Sequence, residues 1–168
     1  MDEQVFWELV EAAKQTGGDD SNERPAALEA LLMQRPLEEV QGFQRCYEAQ
    51  LVKANRWSLW GAAYVMMGGC SDDGFHYFRD WLISEGRERF ESALADPDSL
   101  ANEPDHDDPN LELELFGYAA VYAYEKLGGG EIYRDFEAVE LGAPAGPEWE
   151  ERELPGMFPR LAERYGYD

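Results

Sequence analysis

The chain has 168 residues, 14 of them basic and 36 acidic, for a formal charge of −22. That length suits one domain and cramps two. With 5 Trp, 9 Tyr and 8 Phe it carries enough large apolar side chains for a substantial core, unlike an acidic disordered tail.

The charge removes several function classes. Nucleic-acid affinity rests on Lys and Arg neutralising phosphates, and no basic cluster exists here. Direct DNA or RNA binding is therefore not expected, nor is docking to an anionic membrane surface. The charge favours a basic protein partner, or serves solubility alone. The longest apolar run, Tyr118–Tyr124, falls far short of the ~20 residues of a membrane span. The opening Met1-Asp2-Glu3 is acidic where a secretory signal is basic. Cys46 and Cys70 sit in no C-x-x-C pair and read as two reduced thiols. The chain reads as soluble and cytoplasmic.

From Asp2 to Gln15, Phe6, Leu9, Val10 and Ala13 recur at helical spacing, with Asp2 and Glu3 at the positive end of the helix dipole. Asp20 and Glu23 have capping-box spacing, and Pro25 suits the first turn of a second helix carrying Leu28, Leu31 and Leu32. Pro36 breaks that helix and opens a third, with Leu37, Val40, Phe43, Tyr47 and Leu51 in one stripe. A fourth runs from Trp57 through Trp60, Tyr64 and Met67 to Gly68-Gly69, and its Gly61, Ala62 and Ala63 admit a close neighbour. Ser71, Asp72 or Asp73 caps a fifth, bearing Phe75, Phe78 and Leu82 with Tyr77 and Trp81 beside them. Gly86 joins it to a sixth amphipathic stretch with Phe90 and Leu94, which Asp96-Pro97 ends.

Residues 101–110 are polar and read as a loop. Leu111 to Leu115 alternates like a strand, but Leu111, Leu115, Tyr118 and Tyr122 also fit a helix capped by Asn110, and the Ala-rich continuation to Leu127 selects helix. Ile132 to Leu141 stays open between a short helix and a strand. Gly142–Pro155, with Pro144, Pro147 and the carboxylates Glu150, Glu151 and Glu153 around Arg152, reads as an extended acidic segment before a terminal helix from about Gly156 to Tyr165. Acid is uneven: residues 101–168 hold 17 acids against 5 basic residues, the more negative part per residue. No repeat or linker divides the chain. The expected fold is all-α: one multi-helix bundle over residues 1–168.

Several fragments together resemble a known family. They are Phe6-Trp7, Leu59-Trp60-Gly61-Ala62-Ala63, the run Gly68-Gly69-Cys70-Ser71-Asp72-Asp73-Gly74-Phe75, and Phe78-Arg79-Asp80-Trp81-Leu82-Ile83 leading to Gly86-Arg87. Asp96-Pro97-Asp98-Ser99-Leu100 and Pro159-Arg160-Leu161 agree with them. The chain is similar over nearly its whole length to a bacterial family of small proteins known only as a domain of unknown function. The resemblance implies a helical fold and carries no activity, so it transfers no catalytic residue.

The central block gathers Cys70, Asp72, Asp73, His76 and Arg79 around one helix start. A nucleophilic Cys70 needs a positive neighbourhood, which Asp72 and Asp73 deny it. The structural alternative makes Ser71, Asp72 and Asp73 N-cap acceptors after a glycine turn. Arg79 and Arg87 stand among acids: they either pair internally, Arg79 with Asp72 or Asp73 and over a ring, or line a pocket for an anionic ligand beside Trp81. Glu103, Asp105, His106, Asp107 and Asp108 match no EF-hand or paired-histidine pattern and read as a solvated loop instead of a metal site. Gly128-Gly129-Gly130 follows a helix and lacks the Lys-Ser/Thr of a phosphate loop. Trp57, Trp60 and Tyr64 read as core in preference to the wall of a ligand site.

No activated nucleophile, metal cage or cofactor cradle assembles from these residues, so no cofactor is expected. The leading expectation is a non-enzymatic module whose acidic face, Glu150, Glu151 and Glu153, meets a basic protein. The alternative is a small-ligand protein or enzyme using a pocket of Asp72, Asp73, Arg79, Trp81 and Arg87.

Overall fold

The computed structural model describes residues 1–102, 110–140 and 142–168, and among them the fold is all-helical in a single domain with no strand. The acidic run 103–108 lies outside the described residues, as does Leu141. Helix α1 (Glu3–Gly17) starts at the Asp2 cap, whose carboxylate accepts from the Val5 N–H, and buries Phe6, Trp7, Leu9, Val10 and Ala13. Asp20 caps a short 3-10 turn, Ser21–Glu23, and α2 (Arg24–Leu32) follows with Pro25 in its first turn.

Helix α3 (Leu37–Ala54) turns Val40, Phe43, Tyr47 and Leu51 inward. α4 (Trp57–Met67) ends at Gly68 in the left-handed conformation, which glycine adopts without steric cost. At Gly61 a Cβ would come within 2.8 Å of Phe158, so this glycine is what admits the C-terminal helices. Ser71 caps α5 (Asp72–Ser84) through the Gly74 N–H, settling the choice among the three cap candidates. α6 (Arg87–Ala95) follows Gly86, and Pro97–Asn102 forms a further 3-10 turn.

The helix predicted from Asn110 begins later, as α7 (Glu114–Lys126). Asn110 instead accepts from the Glu112 N–H, and the Leu113 N–H donates to the Tyr77 carbonyl on α5, so residues 111–113 stay outside the helix. The open segment after Gly130 contains one short helix, α8 (Phe136–Glu140). Residues 142–150 are irregular, tied at Ala145 to Asn55 and Trp57. A 3-10 turn, Glu151–Glu153, then leads into α9 (Leu154–Met157) and α10 (Pro159–Tyr165), so Phe158 divides the single terminal helix that was expected. Asp98 clamps this end: its carboxylate accepts from the backbone N–H groups of Arg160 and Leu161 and from the Arg160 guanidinium.

One core runs through α1–α7 and the C-terminal helices. On its α6 side, buried Arg24 and Glu85 pair directly, Arg89 joins them, and the Lys14 ammonium donates to the Glu85 carbonyl at 2.7 Å.

Candidate functional site

The residues that follow Ile132 close a cleft over the main bundle. Gln41 on α3 grips the Tyr133 backbone twice, donating to its carbonyl at 3.0 Å and accepting from its N–H at 3.1 Å. The Asp135 N–H donates to Glu48, and Asn55 donates to the Gly142 carbonyl. Strapped down in this way, Arg134, Asp135, Phe136, Val139, Gly142 and Pro144 face α3, α5 and α7 across a cavity of about 370 Å³.

Buried polar side chains form much of the cleft wall, where an ordinary core would be apolar. Gln44, Glu48, Arg79 and Asp80 all line it and are all buried. A charge withdrawn from water this far is costly unless it is paired and hydrogen-bonded. Asp80 is 2% exposed. One of its oxygens accepts from the Tyr47 hydroxyl, and the other lies 3.9 Å from His76 Nε2. It also packs on Gly117 of α7, where a Cβ would approach Asp80 Oδ1 to 2.9 Å. Burial lifts the Asp80 carboxyl to about 8, against the pull of Tyr47, Arg79 and Arg134. The acid is therefore largely neutral near pH 7.

His76 shifts the opposite way. Burial, followed by the fields of Arg79 and Arg134, lowers it to about 4, so the ring is neutral. Arg79 Nη2 lies 3.4 Å from His76 Nδ1. A guanidinium only donates, so this contact assigns Nδ1 as acceptor and leaves the proton on Nε2, the nitrogen facing Asp80.

Arg79, 5% exposed, donates to the Leu51 carbonyl at 3.0 Å and covers the Phe75 ring at 4.9 Å. Phe75 stacks on Trp60, and Trp60 on Trp57, each pair at 5.1 Å and nearly parallel. The Trp57–Trp60 stripe is thus a half-buried column leading to Arg79, with Trp60 in the cleft wall, and not plain core. Arg79 makes no ion pair with Asp72 or Asp73 within 4.0 Å, contrary to the internal pairing expected; both acids are exposed on the cleft rim.

The residues grouped by sequence do not share one place. Trp81 is buried on another side of α5, against Phe78 and under Arg89. Arg87 pairs with Glu91 at 2.7 Å and lines a separate groove with Gln4, Trp7 and Glu11. The pocket expected beside Trp81 and Arg87 therefore loses both. An α-helix turns about 100° per residue, so Arg79 and Trp81 point to different sides of α5.

Cys70 is half-buried, and burial with the charge of Glu112 pushes its thiol to about 12, the reverse of activation. Glu150, Glu151 and Glu153 are exposed on the C-terminal segment. Glu150 pairs with Arg152, Glu151 accepts from the Tyr167 hydroxyl, and Glu153 accepts from the Glu150 N–H. Among the described residues no cluster of metal-ligating side chains occurs.

The sequence reading missed Tyr47 and Glu48 as site residues, and with them Gln44, Asp80 and Arg134. Tyr47 reads as one of the α3 stripe, and Asp80 stands out only as part of the family motif. The available signal was a polar series, Gln44, Glu48 and Asn55, running beside an apolar helix stripe.

Among the described residues, fold and site define an all-helical domain with a polar, partly charged cleft. The family model for a protein of unknown function, DUF4240, matches residues 1–126, and the chain belongs to that family. The match ends before Arg134, so the segment that closes the cleft lies beyond it. Comparison with curated proteins and with solved structures gave no match.

Proposed function

We propose that this protein binds a small polar molecule in the cleft between α3, α5, α7 and residues 134–139 and 142–144. One observation carries the reading: Gln44, Glu48, Arg79 and Asp80, all buried, converge on a single concavity. Pockets that recognise small molecules combine apolar and aromatic walls with a few such placed polar groups, and about 370 Å³ is within their usual range. Asp72, Asp73 and Arg79 remain from the pocket inferred by sequence; Trp81 and Arg87 leave it. The two unbridged cysteines support a reducing, cytoplasmic setting, and the family resemblance supports a bacterial one.

The test is a thermal-shift screen of the purified protein against polar metabolites, repeated with Arg79→Lys. A compound that raises the melting temperature of the parent and not of the variant supports the reading. A full panel that stabilises neither protein overturns it.

A second reading keeps the leading expectation from sequence: a non-enzymatic acidic module that meets a basic protein. Exposure of Glu150, Glu151 and Glu153 on one segment favours it, and such a surface speeds encounter more than it adds affinity. Reversing the three charges should then slow capture of a cationic protein and leave the fold intact; an unchanged rate removes this face.

A further inference from the structure

We propose that the cleft floor receives the anionic group of a singly charged small molecule, held by Arg79, Arg134 and the facing groups of His76 and Asp80. The inference rests on the ligand-cleft reading above and names the chemistry of its occupant.

In a chain with 36 acidic residues, cations are expected to find carboxylates, and most do. Lys14, Arg24 and Arg89 meet Glu85, Arg87 meets Glu91, Lys126 meets Glu29, and Arg160 meets Asp96 and Asp98. Arg79 and Arg134 both line the cleft, and neither has a carboxylate oxygen within 4.0 Å among the described residues. Arg134 instead lies over the Tyr118 and Phe136 rings, at 5.3 and 4.5 Å. The Nε atoms of both arginines are buried without a partner. Asp80 is the carboxyl next to Arg79 in sequence, and burial raises it, but neither of its oxygens lies within 4.0 Å of the guanidinium: Oδ1 meets the Tyr47 hydroxyl and Oδ2 faces His76. A buried guanidinium left in this state calls for an anion from elsewhere.

The geometry at the floor suits an acceptor. His76 carries its proton on Nε2, and that atom stands 3.9 Å from Asp80 Oδ2. With Oδ1 already taken by the Tyr47 hydroxyl, a protonated Asp80 presents its own proton from Oδ2. The two donors are too far apart to bond each other, and an oxygen seated between them accepts from both.

The number of charges limits the occupant. Two guanidiniums face one buried carboxylate, Glu48, whose Oε1 is occupied by Gln44 and the Asp135 N–H. The floor therefore offers one net positive charge. Exposed Asp72, Asp73, Glu114 and Asp135 surround the entrance and repel anything more negative. A monoanion fits and a polyphosphate does not. The aromatic walls, Trp60, Phe75, Tyr118 and Phe136, suit a flat or apolar body behind the anionic group.

Benzoate and benzamide test this directly, since they share shape and differ in charge; phenyl phosphate supplies the phosphate arm. Each is titrated into the full-length protein and followed by amide and His76 ring NMR signals. Benzoate should bind at least about tenfold tighter than benzamide, the span of a charge-assisted contact. Its shifts should centre on His76 and Gly117. Arg134→Gln, at a half-buried position on the cleft edge, should remove that preference with helix content by circular dichroism unchanged, and Arg79→Lys should weaken it. Preference for phenyl phosphate over benzoate, lost in Arg134→Gln, would keep the anion site and assign it to phosphate, overturning the single-charge limit. Equal binding of benzoate and benzamide would overturn the anion site while leaving the cleft reading intact. Absence of cleft shifts with all three probes would also overturn it, and the metabolite screen then decides the cleft reading separately.

Discussion

The Tyr47 hydroxyl on α3 donates to a carboxylate oxygen of Asp80 on α5, joining two side chains 33 residues apart in the interior. The bond fixes the acid against Gly117 and turns its second oxygen toward His76. Tyr47 is itself held far above its ordinary pKa, by burial and then by Asp80, so it acts only as a neutral donor. Tyr47→Phe keeps the ring and orphans a buried acceptor, a loss of about 1–3 kcal/mol. Urea unfolding should report that loss with no change in helix content by circular dichroism. A variant as stable as the parent would show that the bond contributes nothing net.

Stability should depend on pH through the same pair. Asp80 stands near 8 in the folded chain against an ordinary 3.8, so its contribution is full below about pH 4 and is lost as pH rises through 8. His76 stands near 4 against 6.5, so its contribution is present above 6.5 and is lost as pH falls toward 4. Between 4 and 6.5 the two slopes oppose each other; from 6.5 to 8 Asp80 acts alone. Unfolding free energy should fall across that upper window by up to about 1.4 kcal/mol per pH unit, the limit for one proton. Asp80→Asn should flatten the slope. An equally steep decline in that variant would place the titrating group elsewhere.

Cys70 should be inert. Its thiol is pushed to about 12 from an ordinary 9.0, by burial and then by Glu112, while Cys46 is raised by its own burial. In a Cys46→Ser background at pH 8, a chromogenic disulfide reagent should attack native Cys70 on the order of a thousandfold more slowly than the unfolded chain, following thiolate fraction. A native rate within tenfold of the unfolded one would return Cys70 to the list of reactive residues.

What was legible in the sequence follows from how local each determinant is. The six helices before residue 96 were readable because their apolar spacing and caps, such as Asp2 and Ser71, lie within a few residues of one another. The start of α7 was not, because a tertiary bond from Leu113 to Tyr77 overrides a local Asn110 cap. The site was half legible. Arg79 and the block around it stood out by motif and by charge contrast. Tyr47 and Arg134 reach the cleft from distant segments, and among so many acids nothing local marks Asp80 as buried. Grouping Arg79 with Trp81 and Arg87 failed because closeness in sequence along α5 does not mean a shared face.

The second buried charge cluster should prove structural. Arg24 is 3% and Glu85 4% exposed; Glu85 binds Arg24 and Arg89 with separate oxygens, and Arg24 also donates to Ser84. Arg89 and nearby Arg24, with Lys14, hold the Glu85 carboxylate below its usual range in spite of burial, so it is ionised at neutral pH. Glu85→Gln removes that charge and leaves Arg24 uncompensated in the core, for which the expected cost is about 3–5 kcal/mol. The exposed pair Arg152–Glu150 sets the comparison: Arg152→Ala should cost under about 1 kcal/mol. Parallel urea unfolding of the two variants measures the difference. Similar losses in both would mean that the buried cluster offsets its own desolvation no better than a surface pair. Because Glu85 lies outside the cleft, a Glu85→Gln protein kept below its unfolding midpoint should still bind benzoate as the parent does. Lost binding in that folded variant would tie the two charge clusters together through α5.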